Sequence, residues 1–373
     1  MHRGAPAMSI SHPILAAQAA ALVISAIALT TSASAQSTPN RLLEPTALDR
    51  TVDAAVVQAV DFLAGEQRPS GGWYLELYQG EATSTTSLAL MAMLASGHVP
   101  GEEPYAANFR RGIQYLIQRQ QPSGLIVDKT GHGPLYCHGI STLFLAEVIG
   151  MAEPDQADRV RDALEKSVRA LLEAQVVPKQ DRHVGGWRYS LNSNDSDLSV
   201  TAWQLLALRA ARNAGCDVPA EAIDRAVDYV RRCVPRVGVA GFSYQPGGGS
   251  SPTMTAAGIT ALQVCGATDA PELPGATRLL AGRLPRHRDR YCYYSAHYTS
   301  VALHQQGGDV WNDSADDLFQ ELLSQQGRNG AFMARNSSEK EIGQVYATAL
   351  GVLALTVDYG YLPIYQNTDP HPR

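Results

Sequence analysis

Hydrophobic positions along the chain fall into two kinds of segment that alternate. One kind is one-sided: between residues 106 and 116 apolar side chains recur every three or four positions, and arginine and glutamine fill the opposite face. The other kind is apolar nearly all round, as between residues 198 and 208. Both patterns predict helices, and a helix without a polar face must be covered on most sides.

The two kinds of helix form a unit that occurs six times. In the first three copies a one-sided helix ends near a glutamine, a turn of Pro, Ser and Gly follows, usually with an aromatic residue, and the apolar helix comes next. The fifth copy is marked only by the tyrosines between residues 291 and 294. The marker glycines Gly72, Gly124, Gly186 and Gly241 lie roughly 50 to 60 residues apart. The apolar helices are predicted at residues 84–95, 138–149, 197–212, 253–265, 295–305 and 344–357.

This alternation predicts an all-α fold, an (α/α)6 barrel or α/α toroid, in which six helical hairpins form two concentric rings with the apolar set inside. Short connections make neighbouring helices antiparallel, so all six inner helices begin at one rim. An open solenoid of helix pairs is the alternative. The closed ring is favoured because the inner helices lack the polar face that a solenoid would show to water.

The N-terminal region has the order of a secretory signal peptide. An apolar run at residues 14–30 precedes the small-residue site Ala33-Ser34-Ala35. We predict a signal peptide at residues 1–35, a linker at 36–48, the toroid at 49–361 and a C-terminal tail at 362–373. The protein is then exported, to the periplasm or the exterior, whereas an uncleaved leader would associate it with a membrane.

Charge and cysteine content limit the kinds of partner and metal site that the chain can have. The chain has 30 basic and 36 acidic residues without a basic run, which argues against nucleic acid as a partner. Its five cysteines show no C-x-x-C spacing, so they predict neither a disulfide scaffold nor a metal site, and most are expected to be buried apolar residues. We expect no metal and no cofactor.

Two acids, Asp195 and Asp197, open the third inner helix. An aspartate at a helix N-terminus accepts hydrogen bonds from free N–H groups and is favoured by the helix dipole, so capping accounts for one of them. Aromatic and polar residues fall at the same register: Trp73, Tyr136, His138, Trp187, Tyr189, Tyr244, Tyr293, Tyr294, His297 and Tyr346. They either line the mouth of an apolar cavity or pack the turns against their helices.

The run F-L-x-x-x-Q-x-x-x-G-G-W at residues 62–73, with its echo at Gln175 and Trp187, resembles the QW repeat of squalene-hopene cyclases and related terpene cyclases. Protein prenyltransferase β subunits share the α/α toroid of that superfamily. The residues from Tyr136 to Glu147 and from Tyr361 to Tyr365 also resemble exported bacterial proteins with prenyltransferase and squalene-oxidase repeats. Repeats of this kind specify fold better than chemistry.

The resemblance implies a role for the acids. In the cyclases the middle aspartate of a D-x-D-D motif protonates a terminal alkene, which would make Asp197 the proton donor and Asp195 its support. The chain departs from the motif at Leu198, which replaces the last acid. It also has material for one helical barrel, whereas triterpene cyclases use two.

Three functions remain open. In the first, the toroid binds an apolar, isoprenoid-type small molecule in a central cavity, with retained or vestigial protonation-initiated cyclase activity. Alternatively, it is an exported polysaccharide hydrolase or lyase with paired carboxylates, or a protein-interaction scaffold. A lumen walled by apolar side chains with one acid at the rim would favour isoprenoid ligands. A shallow groove with several acids and Arg or Lys would favour sugars.

Overall fold

The structure, a computed structural model, describes residues 45–128, 133–235, 240–335 and 337–366. Its helices are α1 (Ala47–Gly65), α2 (Thr83–Ala95), α3 (Ala106–Gln118), α4 (Pro134–Val148), α5 (Pro154–Gln175), α6 (Leu198–Asn213), α7 (Ala220–Arg232), α8 (Pro252–Val264), α9 (Leu273–Ala281), α10 (Cys292–Gln306), α11 (Gly308–Leu323), α12 (Ser337–Ile342) and α13 (Gln344–Leu355). Strands β1 (Trp73–Leu75) and β2 (Gly80–Ala82) form one antiparallel hairpin, with Trp73 opposite Ala82.

The long helices form two concentric rings. The inner ring runs through α2, α4, α6, α8, α10 and α13, and α13 packs directly against α2, which closes it. Helices α3, α5, α7, α9 and α11 pack outside it, and α1 covers α13. The predicted α/α toroid is therefore confirmed and the open solenoid is wrong. Each predicted inner helix lies within four residues of the observed one.

Burial explains which helices lie inside. Every residue of α2 is buried, whereas the outer helix α7 buries only the Ala222, Ile223, Ala226, Tyr229 and Val230 face. A helix that is apolar all round loses most by contact with water, so it takes the covered position, and a one-sided helix can form the outer layer.

Glutamines in the turns join successive outer helices. The Gln175 side-chain amide donates to the Gly185 carbonyl at 2.9 Å, and also to the Ala222 carbonyl at 2.8 Å, in the first turn of the next outer helix. Gln67, Gln120 and Gln326 make the same pair of bonds in their own units. Each of these glutamine amides thus joins its own turn to the next outer helix.

The last of these glutamines closes the ring. Gln326 follows α11 and donates to the carbonyl of Ala55 in α1 at 2.7 Å. At the same place Gly330 adopts a positive φ of 84°, and an added Cβ would lie 2.2 Å from the Gln58 carbonyl oxygen. Only glycine allows so close an approach of the two backbones.

The aromatic residues of the turns attach each turn to its inner helix. The backbone N–H of Trp187 donates to Thr201 Oγ1 at 3.0 Å. The backbone N–H groups of Trp73, Phe242 and Phe332 make the same bond, also at 3.0 Å, to Thr86, Thr255 and Thr348. The repeat is therefore one hydrogen-bonded unit used several times around the ring.

The ends of the toroid differ in part from the predicted boundaries. The predicted signal peptide and most of the predicted linker lie outside the described residues. Helix α1 begins at Ala47, capped by Thr46 in a reciprocal bond with Asp49. Residues 362–366, placed in the tail by the sequence, contact the inner helices instead. Within the described ranges no helix has the length and hydropathy needed to cross a bilayer.

Replacing Gln326 by leucine should lower the free energy of unfolding by about 2 kcal/mol, because both hydrogen bonds from the Gln326 amide, to the carbonyls of Ala55 and Gly330, are lost. Gln175→Leu should cost at least as much, since a closed ring makes both contacts equivalent. Gln118→Leu, at an exposed site, is the matched control. Chemical denaturation of the three variants measures this, and a Gln326→Leu protein as stable as the control would contradict ring closure.

Candidate functional site: the rim and the centre of the toroid

The N-terminal ends of the inner helices meet at one face, called the rim here. Tyr136 lies near the start of α4, Ser199 near the start of α6 and Tyr294 near the start of α10. Ser199 Oγ hydrogen-bonds to the hydroxyls of both tyrosines, at 2.9 Å from Tyr294. Three inner helices are thus linked through side-chain hydroxyls just below the rim.

Asp197 is the N-cap of α6 and is fully buried. Its Oδ1 accepts the Val200 N–H at 2.9 Å, and its Oδ2 accepts from Arg188 Nη1, also at 2.9 Å. Burial raises the pKa of the Asp197 carboxyl to about 6, partly offset by the Val200 N–H and the Arg188 charge. At neutral pH Asp197 is therefore mainly a carboxylate held in an ion pair.

Arg188 connects the acids to the aromatic residues. Its guanidinium lies over the ring of Tyr189 at 4.6 Å and of Tyr244 at 5.5 Å, and donates to the Tyr244 hydroxyl at 2.8 Å. The hydroxyls of Tyr189 and Tyr244 also hydrogen-bond to each other. Cation–π contacts and hydrogen bonds thus fix Arg188 in place.

Asp195 lies at the outer edge of this cluster. Its side chain is 37% exposed, and its Oδ2 is 3.4 Å from Arg188 Nε and accepts from Gln245 Nε2 at 3.1 Å. Both predicted acids therefore contact one arginine. Asp195 faces solvent, whereas Asp197 is sealed beneath it.

Four predicted cavity residues lie between the two rings instead. The Trp73 and Trp187 indoles are buried and donate to the carbonyls of Leu63 and Leu171 in the outer helices, at 2.6 and 2.9 Å. They pack the turns, so their assignment to the cavity is wrong. This is the alternative that the Gly-Gly-Trp pattern left open.

His138 and Tyr293 complete that correction. His138 Nδ1 accepts the Ile126 N–H and its Nε2 lies 3.1 Å from the Ser167 carbonyl, so the ring ties a turn to α5. Burial lowers the pKa of His138 to about 4, which keeps it neutral. Tyr293 donates to the Met333 carbonyl at 3.0 Å and packs on Phe332.

The remaining predicted residues lie at or below the rim. Tyr136, Tyr189 and Tyr346 are half-buried, Tyr244 is 37% exposed, and Tyr294 is buried. His297 is deeper, with its ring stacked on Trp203 at 5.8 Å. The structure therefore brings both acids together with Tyr189 and Tyr244 around Arg188, whereas Tyr136 and Tyr294 meet at Ser199.

Sequence reasoning missed the capping acids of two other inner helices. Asp128 Oδ2 accepts the Thr83 N–H at the start of α2, at 2.7 Å. Glu339 Oε1 accepts the N–H groups of Tyr293 and Tyr294 at the start of α10, at 3.0 and 3.1 Å. Both acids come from other segments of the chain, so no local pattern could identify them. Asp197 thus shares its capping role with other rim acids.

Aromatic and aliphatic side chains fill the centre of the toroid. The space that remains there is too narrow to admit water, and it is lined by residues of the inner helices: Met91, Leu143, Glu147, Trp203, His297 and Leu353. Leu362, Ile364 and Tyr365 close it from the other side. The predicted open cavity is therefore wrong for this state of the chain, because the tail occupies its lower end.

Glu147 is a functional candidate that was not among the site residues predicted from the sequence. It is the one acidic residue of α4, at 4% exposure, and its Oε2 accepts the Ile364 N–H at 3.2 Å. Burial raises its pKa to about 8, so it is mostly protonated at neutral pH. The available signal was a single glutamate inside an apolar helix.

Cysteines and metal ligands add no further site. Cys137, Cys233 and Cys292 are buried and Cys216 and Cys265 half-buried, all as free thiols, as expected for apolar residues. In the described ranges no group of three or more His, Cys, Asp or Glu side chains has the geometry to hold a metal ion.

Comparison with known proteins supports the fold and leaves the chemistry open. No family model matches the chain. A stretch of 92 residues, 22% of the chain, is 34% identical to lanosterol synthase of Candida albicans, and it covers 12% of that enzyme's length. This local match supports the resemblance to terpene cyclases that the repeat motif predicted.

Solved structures extend the similarity to the whole toroid. The type II terpene cyclase MstE from Scytonema covers 84% of the chain over 100% of its own length, at 15% identity and a TM-score of 0.55. A variant of MstE was solved with its substrate, geranylgeranyl dihydroxybenzoate. The α-1,6-mannanase GH76A from Salegentibacter covers 83% of the chain over 99% of its length, at 11% identity and a TM-score of 0.60. The chain therefore has a terpene cyclase-like α/α toroid, a fold that carbohydrate enzymes share.

Replacing Arg188 by methionine should leave Asp197 buried without its counter-charge and raise its pKa above about 6. We expect a loss of about 2 kcal/mol at pH 7. Because the folded chain then binds that proton more tightly than the unfolded chain, stability returns as the pH falls from 7 to 5.

Thermal unfolding between pH 5 and 7 measures this effect. Arg161→Met, at an exposed site on α5, is the control and should change stability by less than about 0.5 kcal/mol at every pH. If Arg188→Met were equally destabilised at pH 5 and 7, the ion pair would not be what holds Asp197 charged.

Proposed function

We propose that the protein binds an apolar, isoprenoid-type molecule in the interior of the toroid. The observation that carries the proposal is the composition of the central wall. Met91, Leu143, Leu353 and the Trp203 ring surround the space, and its occupants from the tail are themselves apolar. Aliphatic and aromatic walls with few polar groups are typical of sites for apolar ligands.

The centre of the toroid is filled in this structure. Ligand sites of this type have volumes of roughly 300–1,000 Å³, whereas the gap beside Met91 and Leu143 is too narrow to admit water. Residues 362, 364 and 365 border this gap. A ligand of isoprenoid length therefore requires part of the tail to leave.

The state of Asp197 favours binding without cyclisation. Alkene protonation needs a strong acid that is protonated when the substrate arrives. Asp197 instead is paired with Arg188, with its pKa raised by burial only to about 6. The third acid of the cyclase motif is Leu198 in this chain, so the carboxylate has no acidic neighbour on that side. We infer that protonation-initiated activity is lost.

The rim supports a second candidate, a polysaccharide hydrolase or lyase. Asp195, Arg188 and Tyr244 form a partly exposed polar and aromatic surface of the kind that sugars contact. A mannanase with the same fold makes this chemistry compatible with a toroid. Release of reducing ends from polysaccharides, abolished by Asp195→Asn, would favour this candidate over the first.

We also propose that the protein is exported, on the basis of the predicted signal peptide.

Filling the central space should prevent binding. Leu143 is 1% exposed and faces the space, so Leu143→Trp should lower retention of a polyprenyl lipid at least about tenfold. Leu77→Trp, at a site that is 50% exposed, is the control for the same substitution. Native mass spectrometry after incubation with lipid extract measures retention, and thermal unfolding confirms that both variants fold. Equal retention by the two variants would place the ligand elsewhere.

Asp197→Asn should leave a bound isoprenoid unchanged in amount and in structure, because Asp197 donates no proton in the proposed function. The native chain and the variant are incubated with the same linear isoprenoid, and the bound and free products are identified by mass spectrometry. A cyclised product made by the native chain and absent from the variant would establish catalysis and overturn the proposal of binding alone.

A further inference from the structure

The segment Leu362–Tyr365, called the plug here, makes a short turn inside the lower end of the inner ring. It places Leu362 and Ile364, 7% and 5% exposed, against the central space. It lies between that space and a second narrow gap, bordered by Ala95, Val357 and Tyr361.

Two polar groups of the inner helices face the plug. Glu147 Oε2 accepts the Ile364 N–H at 3.2 Å, and His297 Nε2 lies 3.4 Å from the Tyr365 hydroxyl. His297 is 1% exposed, and its Nδ1 has no hydrogen-bond partner among the described residues. The space next to the plug, whose other walls are aliphatic and aromatic, thus contains a carboxyl and an imidazole, and the tail satisfies them only in part.

Both groups are neutral at physiological pH. Burial raises the pKa of Glu147 to about 8 and lowers that of His297 to about 3. A protonated carboxyl and a neutral imidazole donate to and accept from a hydroxyl, but offer no positive charge to a diphosphate. No Asp, Lys or Arg side chain, and no second Glu, lines this space among the described residues.

We propose that the lower end of the barrel is a binding site for a neutral isoprenoid alcohol, in which Glu147 and His297 bind the hydroxyl, and that the plug is its intramolecular competitor. This inference rests on the proposed binding of an isoprenoid-type molecule. The plug reproduces the ligand's chemistry, because it presents apolar side chains together with one N–H and one O–H.

Competition between plug and ligand can be measured with farnesol, farnesyl diphosphate and squalene as probes. Farnesol should bind at least about tenfold more tightly than either of the others, because only it carries a neutral hydroxyl. Tyr365→Ala and Ile364→Ala, which weaken the plug, should each tighten farnesol binding about tenfold. Tyr361→Ala is the matched control, since its ring is 55% exposed and does not border the central space.

Hydrogen–deuterium exchange gives an independent readout in the native chain. Farnesol should abolish protection of the Ile364 and Tyr365 amides while the inner helices stay protected. If farnesol binds with the plug amides still protected and Tyr365→Ala has no effect, the plug is not a competitor, and the proposed function stands alone. If squalene or the diphosphate binds as well as farnesol, the hydroxyl site is wrong. If no probe binds to the native chain or to either plug variant, both proposals fail.

Discussion

The structure depends on one amide group repeated around the outer ring. A glutamine at the end of an outer helix donates to its own turn and to a carbonyl of the next outer helix, as Gln175 does to Gly185 and Ala222. Gln67, Gln120 and Gln326 make the same pair of bonds, so one amide joins a turn to the neighbouring helix at each of these places. Gln326 makes this contact to Ala55 across 271 residues of sequence and so turns a row of hairpins into a ring.

Closure of the ring determines where chemistry is available. With the inner helices parallel, their N-termini collect at one rim, where free N–H groups attract carboxylates. Asp128, Asp197 and Glu339 each cap one of these helices. A rim acid in this fold therefore has a structural role before it has any other, and pairing with Arg188 favours the ionised form of Asp197, which has no proton to donate.

The opposite end of the barrel differs in character. There the wall is apolar, the tail returns to fill it, and Glu147 and His297 are held neutral by burial. The fold is shared with a terpene cyclase and with a mannanase, so the scaffold alone does not select a chemistry.

Periodicity and repeated turn residues were enough to predict the twelve long helices, their order and the two rings, because burial of an all-round apolar helix such as α2 follows from local composition. The acids Asp195 and Asp197 were recognised as a local pair in the sequence. Their register relative to the inner helices also placed several tyrosines at the rim. The sequence could not place Trp73 and Trp187 between the rings rather than in the lumen, since both sites are apolar. The tertiary structure alone decided how Arg188 folds back on both acids within its own loop. It also decided the contacts between distant segments, namely Glu339 at the start of α10 and the tail against Glu147. The physical reason is that hydrogen bonds and ion pairs between segments depend on how the ring closes, whereas hydrophobic periodicity is a property of each helix by itself.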